Sequence, residues 1–230
     1  MKVKFLPEKE IEVSANILLD GYKKQFDISL SPPIPVDEIA ECHLELDLRF
    51  DDLCKLFRRT NVLGAIWIKD KRIKIDESLE PFANPLCLGR YRFTLSHELG
   101  HWCLHRDFLL ARSAQLSLFD ATNEPSVICR AGDTAPEEWQ ANTFASYLLM
   151  PEQMIFDAWE ELHGNFSPVF TKGGANFING NQFNSGVSTT GVARKMAEKF
   201  EVSVQAMEIR LKSLNLLKNT VASPVLFNKY

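Results

Sequence analysis

The first residues in this chain whose types and spacing imply chemistry are its histidines. Three of the five fall within RYRFTLSHELGHWCLH, residues 90 to 105, at His97, His101 and His105. Side chains four apart share a helix face. His97 and His101 therefore present two imidazoles one turn apart, the spacing with which an HExxH helix grips zinc at about 2.0–2.1 Å per nitrogen. Glu98 lies about 100° around such a helix from His97. From there it reaches a water at the metal without ligating the ion, the position of a general base. Gly100 in the same turn costs about 1 kcal/mol against alanine, which predicts that something packs closely on the backbone there.

Two imidazoles do not complete a site. His105 is eight residues from His97, about 12 Å along a helix axis, too far for one ion to hold both. It is expected to cap the helix C-terminus or to hydrogen-bond locally. Pairing His101 with His105 would put Trp102 where the base should stand, and an HExxHxxGxxH arrangement fails at Leu104 and Asp107. Cys103 points to the other side of the helix, into the core. A second helix, PEEWQANTFASYLLMP from Pro136, opens with Glu137 and Glu138, where the helix dipole favours carboxylates. Its Ala141, Phe144, Ala145 and Leu148 share one face, and Ala141, Asn142 and Ala145 are small or polar enough to let another helix approach. A carboxylate such as Glu138 can then be brought against His97 and His101 as third ligand, leaving one position for water. The alternative is a surface acid placed there for the dipole.

The elements that must position these residues read as a mixture of helices and short strands. Residues 7 to 25 carry a helical pattern that starts at Pro7 and sets Ile11, Ala15, Ile17, Leu18 and Tyr22 on one apolar stripe. SPPIP, residues 31 to 35, breaks it, and Val36 to His43 resumes as a short helix. LELDLRF, residues 44 to 50, alternates as a half-buried strand, and GAIWIKDKRIKID, residues 64 to 76, reads as a hairpin around Asp70-Lys71. Residues 107 to 134 are expected to be mostly irregular, a short helix follows Pro151, and residues 164 to 187, rich in Gly, Asn, Ser and Phe, are expected as a loop or flap. The stretch TTGVARKMAEKFEVSVQAMEIRLKSLNLL is two helices joined by a tight turn, with Ser203 as N-cap of the second.

Composition bounds the function. The 230 residues suffice for one good-sized domain or one with an appendage. At 45% hydrophobic and 24% charged the chain is ordinary for a globular protein, and its net charge of −4 gives no global basic field for nucleic acid or anionic membrane. MKVKFLPEKEIEV lacks the apolar run of a signal peptide, and no segment is long enough to span a bilayer. Five scattered cysteines without a CxxC pair fit buried free thiols in a reducing compartment, so a cytoplasmic location is expected.

RFTLSHELGHWCLH followed by EEWQANTFASYLLMP resembles the ImmA/IrrE family of zinc metallopeptidases, in which HELGHxxLH precedes a helix reading ExxANxFAxxLLMP. The resemblance runs from about residue 32 to about 215 and takes in the IPVDEIAE helix, the hairpin and the FEVSVQAMEIRL segment. It implies Zn2+ as cofactor, His97, His101 and Glu138 as its ligands, and Glu98 as base. Glu138, not Glu137, aligns with the family's ligand, because it stands four residues before Asn142. Asn142 could orient a ligand from behind or make a hydrogen bond between helices, and Tyr147 and His163 are candidates for the oxyanion donor.

The fold so implied is α+β: a zincin-like domain of the gluzincin type, with a small twisted sheet, an HExxH active helix and a C-terminal helical subdomain. The division expected is an N-terminal helix of unassigned role at 1–30, the peptidase domain at 31–163, a flexible loop at 164–188, and a helix-turn-helix-like subdomain at 189–230. The activity implied is intracellular endopeptidase cleavage of a protein, a helix-turn-helix repressor, as a regulatory step. No repressor-like domain is fused at the N-terminus, so the repressor is expected as a separate chain.

Two rival readings keep the metal site and drop the catalysis. One is a DNA-binding regulator: the terminal helices resemble a helix-turn-helix, and from Gly191 to Tyr230 seven Lys and Arg face three Glu. Against it, the second of those helices offers Gln205, Glu208 and Arg210 outward, and glutamate opposes phosphate contact. No direct nucleic-acid contact is therefore expected. The other is a binding module that sequesters a repressor without cutting it.

Overall fold

Alternation along residues 64 to 76 produces the expected hairpin, and it forms the middle of a sheet. In the computed structural model, which describes residues 3–116, 125–130, 135–164, 169–172, 175–178, 181–183 and 189–219, β2 (Val62–Trp67) pairs antiparallel with β3 (Arg72–Asp76). β1 (Asp47–Asp51) adds to β3 in parallel, and β4 (Val127–Arg130) adds antiparallel to β2, giving the order β1-β3-β2-β4. All of β2 except Leu63 is buried, because it has a strand on each side and a helix over one face. The strand at 44–50 starts later than its alternation predicts: Leu44 ends a π-helical turn, Ile39–His43, that continues the short α2 (Val36–Glu38). A further short helix, α3 (Leu53–Phe57), is capped by Asp52, whose side chain accepts from the amide of Lys55 at 2.9 Å.

The chain divides into two compact units, the first Met1–Pro151 with Phe200–Val202, the second Glu152–Lys199 with Ser203–Tyr230. Helices of the first are α1 (Glu8–Phe26), α4 (Leu88–Leu116) and α5 (Pro136–Leu149), besides the short α2 and α3. α1 begins after Pro7 with Glu8 and Glu10 in its first turn and Lys23 and Lys24 in its last, each sign where the helix dipole favours it. It buries Ile11, Ala15, Leu18, Leu19 and Tyr22, while Ile17, expected on that stripe, is 65% exposed. The stripe is narrower than its apolar residues suggest, because it faces chiefly one partner, α5. α4 is longer than expected and takes in residues 107–116, assigned above to an irregular stretch; β4 occupies part of the remainder of that stretch.

The second unit holds α6 (Glu152–His163), α7 (Thr189–Phe200, whose last residue falls in the first unit) and α8 (Val204–Ser213). It also has a second sheet. Strands β5 (Val169–Lys172), β6 (Ala175–Ile178), β7 (Asn181–Phe183) and β8 (Leu217–Asn219) run in the order β7-β6-β5-β8. Within residues 164–188, expected as a loop, the described residues thus include three short strands whose backbone pairing overrides a Gly- and Asn-rich composition. Ser203 caps α8 by accepting from the amide of Ala206 at 3.1 Å. Arg210, expected to face outward, is only 4% exposed. The class is α+β. No helix among the described residues is long and apolar enough to cross a membrane.

Candidate metal centre

α4 and α5 cross where neither has bulk. A Cβ on Gly100 would stand 3.0 Å from Cα of Ala141 and 3.1 Å from its carbonyl oxygen. This is the close backbone approach that glycine in the HELGH turn predicts. Gly100 precedes His101 by one residue, and Ala141 follows Glu138 by three, so the crossing carries the first turn of α5 onto the histidine face of α4. Glu138 is buried there, as are His97 and His101.

The three side chains aim their donor atoms at one point. Nε2 of His97 and Nε2 of His101 are 3.0 Å apart. Glu138 places Oε2 3.1 Å from the first and Oε1 3.4 Å from the second. Donors held about 2.0–2.1 Å from one ion in a tetrahedral array stand about 3.3–3.4 Å from each other, so the observed separations fit a divalent cation. Behind the donors, Nδ1 of His97 donates to Oδ1 of Asn142 at 3.0 Å, which turns Nε2 toward the other donor atoms. Nδ1 of His101 lies 3.0 Å from Nδ1 of His105, one of the two donating to the other. His105 does not cap a helix C-terminus, because α4 runs eleven residues beyond it.

Electrostatics separates the four ionisable groups. Burial raises Glu138, but hydrogen bonds from His101 and His97 bring its carboxyl down to about 2. Burial pulls His101 down to about 4 against the opposing pull of Glu138, so its ring is neutral at pH 7. Burial acts on His97 in the same direction, yet hydrogen bonds to Cys129 and Glu138 outweigh it and raise that ring well above its ordinary value. Glu98 is 0% exposed, and neither carboxylate oxygen has a hydrogen-bond partner among the described residues. Burial, reinforced by the charge of Glu138, pushes its carboxyl up to about 8. Gly64 of β2 makes room for it: a Cβ there would meet Oε1 of Glu98 at 2.5 Å.

Two features that sequence reasoning passed over belong to this neighbourhood. Cys129 on β4 is buried, and its thiol, His97 and Glu98 bring donor atoms within 4.8 Å of one another. Only the pairing of β4 with β2 reveals it. The N-terminal segment is the second. Phe5 stacks on Trp139 at 5.7 Å between centroids, and Gln140 donates to the carbonyl of Lys4 at 3.2 Å. The N-terminal segment and α1 thus brace the turn of α5 that carries Glu138. Of the two oxyanion candidates, Tyr147 donates to Glu8 on α1, and His163 ends α6 in the second unit with its ring 4.3 Å from Trp159.

Fold and cluster together define an α+β protein with a buried His–His–carboxylate group able to hold a metal ion. Residues 84–212 match the family model of the IrrE N-terminal-like domain, Peptidase M78, and the chain belongs to that family. Among solved structures it is similar to a Mycobacterium tuberculosis transcriptional regulator, at 12% identity and a TM-score of 0.49. That similarity covers 94% of this chain and 48% of the other, so the chain spans about half of that protein's length. No curated protein matches the sequence.

Proposed function

We propose that the protein is a zinc-dependent metalloendopeptidase, with His97, His101 and Glu138 as ligands and Glu98 as general base. The observation that supports this best is the convergence of three buried donor atoms at 3.0, 3.1 and 3.4 Å beside an unpartnered, fully buried carboxylate. A zinc ion held there supplies Lewis-acid polarisation of the scissile carbonyl and acidifies the attacking water. Glu98 would take a proton from the attacking water and return it to the leaving amine. Glu138, ionised across the working range, holds its place as an anionic donor, and neutral His101 offers a free lone pair. Asn142 holds the His97 ring in the tautomer that ligation needs.

Family membership and the resemblance set out above support a helix-turn-helix repressor as the protein substrate, cut at one or few sites. The burial of Arg210 also removes a cation from the face that a DNA-reading α8 would need. Co-expression with candidate repressors, comparing wild type with Glu98→Gln, tests the reading. Cleavage by the wild type alone supports it. Equal relief of repression by both, with the repressor intact, would replace it with a sequestering module.

A further inference from the structure

We propose that the protein has a second ligand site, a cavity on the face of the first sheet turned away from α4, and that it takes a small planar anion: an aromatic ring bearing a carboxylate. The inference is independent of the metal reading, with which it shares a strand and no side chain.

The placement comes from the period of β2. Trp67 stands three residues beyond Gly64, so its side chain projects to the opposite face of the strand. Gly64 abuts Glu98 and Thr94 of α4, and Trp67 therefore faces away from the metal centre. Arg72 pairs with Trp67, while Lys74 and Ile128 both pair with Ala65; directly paired residues share a face. α3 packs against β2 and β3 there. Asp52 caps its start, and Arg58 ends it in the left-handed conformation, with a φ of 51°. Phe57 at the end of α3 and Arg59 just beyond it line one cavity with Trp67, Arg72, Lys74 and Ile128. Its volume of about 470 Å³ falls within the range of about 300–1,000 Å³ typical of small-molecule sites, which are mostly apolar with a few placed polar groups. All of these residues belong to the first unit.

Two features select the ligand. The first is a flat apolar wall: the rings of Phe57 and Trp67 lie 6.1 Å apart between centroids and only 27° from parallel. A planar ring extends such a stack better than an aliphatic chain does. The second is charge. Nζ of Lys74 lies 5.6 Å from the centroid of the Trp67 ring, and its side chain is 19% exposed, where a surface lysine ordinarily carries its ammonium out to water. Arg72 spends Nε on Asp47 at 2.8 Å, and Lys74 spends one proton on Asp51 at 2.6 Å. The forked end of the guanidinium and two ammonium protons remain to donate. The guanidinium of Arg59 has no partner among the described residues. Three cations thus stand against two carboxylates, a positive remainder in a chain of net charge −4. Arg49, which shares Asp47 at 2.9 Å, adds to it. The two carboxylates in turn repel a multiply charged group, so one negative charge on an apolar ring fits and inorganic phosphate does not.

The test is a titration of the full chain with naphthoate and, separately, with its uncharged isostere naphthamide, read from the indole N–H resonances of the tryptophans. The resonance of Trp67 is the one missing from Trp67→Phe. It is expected to shift saturably with naphthoate while those of Trp102, Trp139 and Trp159 hold still. Naphthamide should bind about 10- to 100-fold more weakly, the factor that charge-assisted hydrogen bonds supply. Arg59 is exposed, so Arg59→Ala leaves the core untouched; it should weaken naphthoate by a similar factor and leave naphthamide unchanged. Arg106→Ala, which removes the cation over Trp102 on α4, should change neither, and excess phosphate should not displace naphthoate. Equal affinity for the acid and the amide would overturn the inference. So would the absence of a saturable shift at millimolar naphthoate, equal shifts of all four indoles, displacement by phosphate, or a naphthoate affinity that Arg59→Ala does not alter.

Discussion

Glu98 is a carboxylate buried with no hydrogen bond, and that makes its cost measurable. In metal-free protein its carboxyl is pushed up from 4.5 to about 8 by burial first and the Glu138 charge next, with His97 opposing. Each pKa unit is worth about 1.4 kcal/mol, so the fold favours the neutral acid by at most about 4–5 kcal/mol. The sign follows. Below about pH 4.5 the group is protonated folded and unfolded alike, and the preference contributes fully. As pH rises toward about 8 the unfolded chain is already ionised while the folded one must ionise in place, and the contribution is lost. Glu98→Gln keeps the volume and does not titrate. Urea unfolding of both metal-free proteins, followed by the fluorescence of Trp67, Trp102 and Trp139 in the first unit, gives the difference in stability at each pH. Wild type should lose about 3–5 kcal/mol relative to the variant between about pH 4.5 and about 8, then level off. Subtraction removes titrating groups common to both proteins. A difference that stays flat across that window would refute the claim that Glu98 is unpartnered and buried, and with it the account of its role as a poised base.

Three further outcomes follow from the packing. Gly100→Ala should destabilise the protein by about 1–3 kcal/mol in the same unfolding assay, because the added Cβ meets the backbone of Ala141, which cannot swing aside; metal content should fall with it as α5 is pushed away. Gly64→Ala would put a Cβ 2.5 Å from Oε1 of the fully buried Glu98 and 3.1 Å from Cγ2 of buried Thr94, so it should lower stability by about 1–3 kcal/mol in thermal melts and drop repressor cleavage toward the level of Glu98→Gln. Asn142→Ala should weaken metal binding by about 10- to 100-fold in a chelator competition, with full occupancy recovered at saturating metal; unchanged affinity would show that the His97 tautomer needs no partner.

How much of this was legible in the residues depends on the range of the interaction concerned. The helical spacing of His97, Glu98 and His101, the carboxylates that open α5, the hairpin at 64–76 and the Ser203 cap are local features, set by side-chain period and by backbone groups within one turn, and they could be read directly. Gly100 already announced a close approach, though not its partner. That partner, Ala141, lies forty-one residues away, and only the crossing of α4 and α5 converts two separate motifs into one cluster of donor atoms. Burial, too, was decided in three dimensions. Ile17 looked inward by period and faces solvent because α1 meets chiefly one neighbour; Arg210 looked outward and is enclosed. The strands at 169–183 form despite a loop-like composition, since backbone pairing with neighbouring strands depends little on side-chain propensity. Cys129 shows the limit best. Nothing within ten residues of it marks it as more than a core thiol, and its position over His97 and Glu98 exists only because β4 pairs with a strand more than sixty residues earlier. Chemistry written within one helical turn is determined by the sequence alone, whereas chemistry that requires two distant segments to share a face is determined by the energetics of packing.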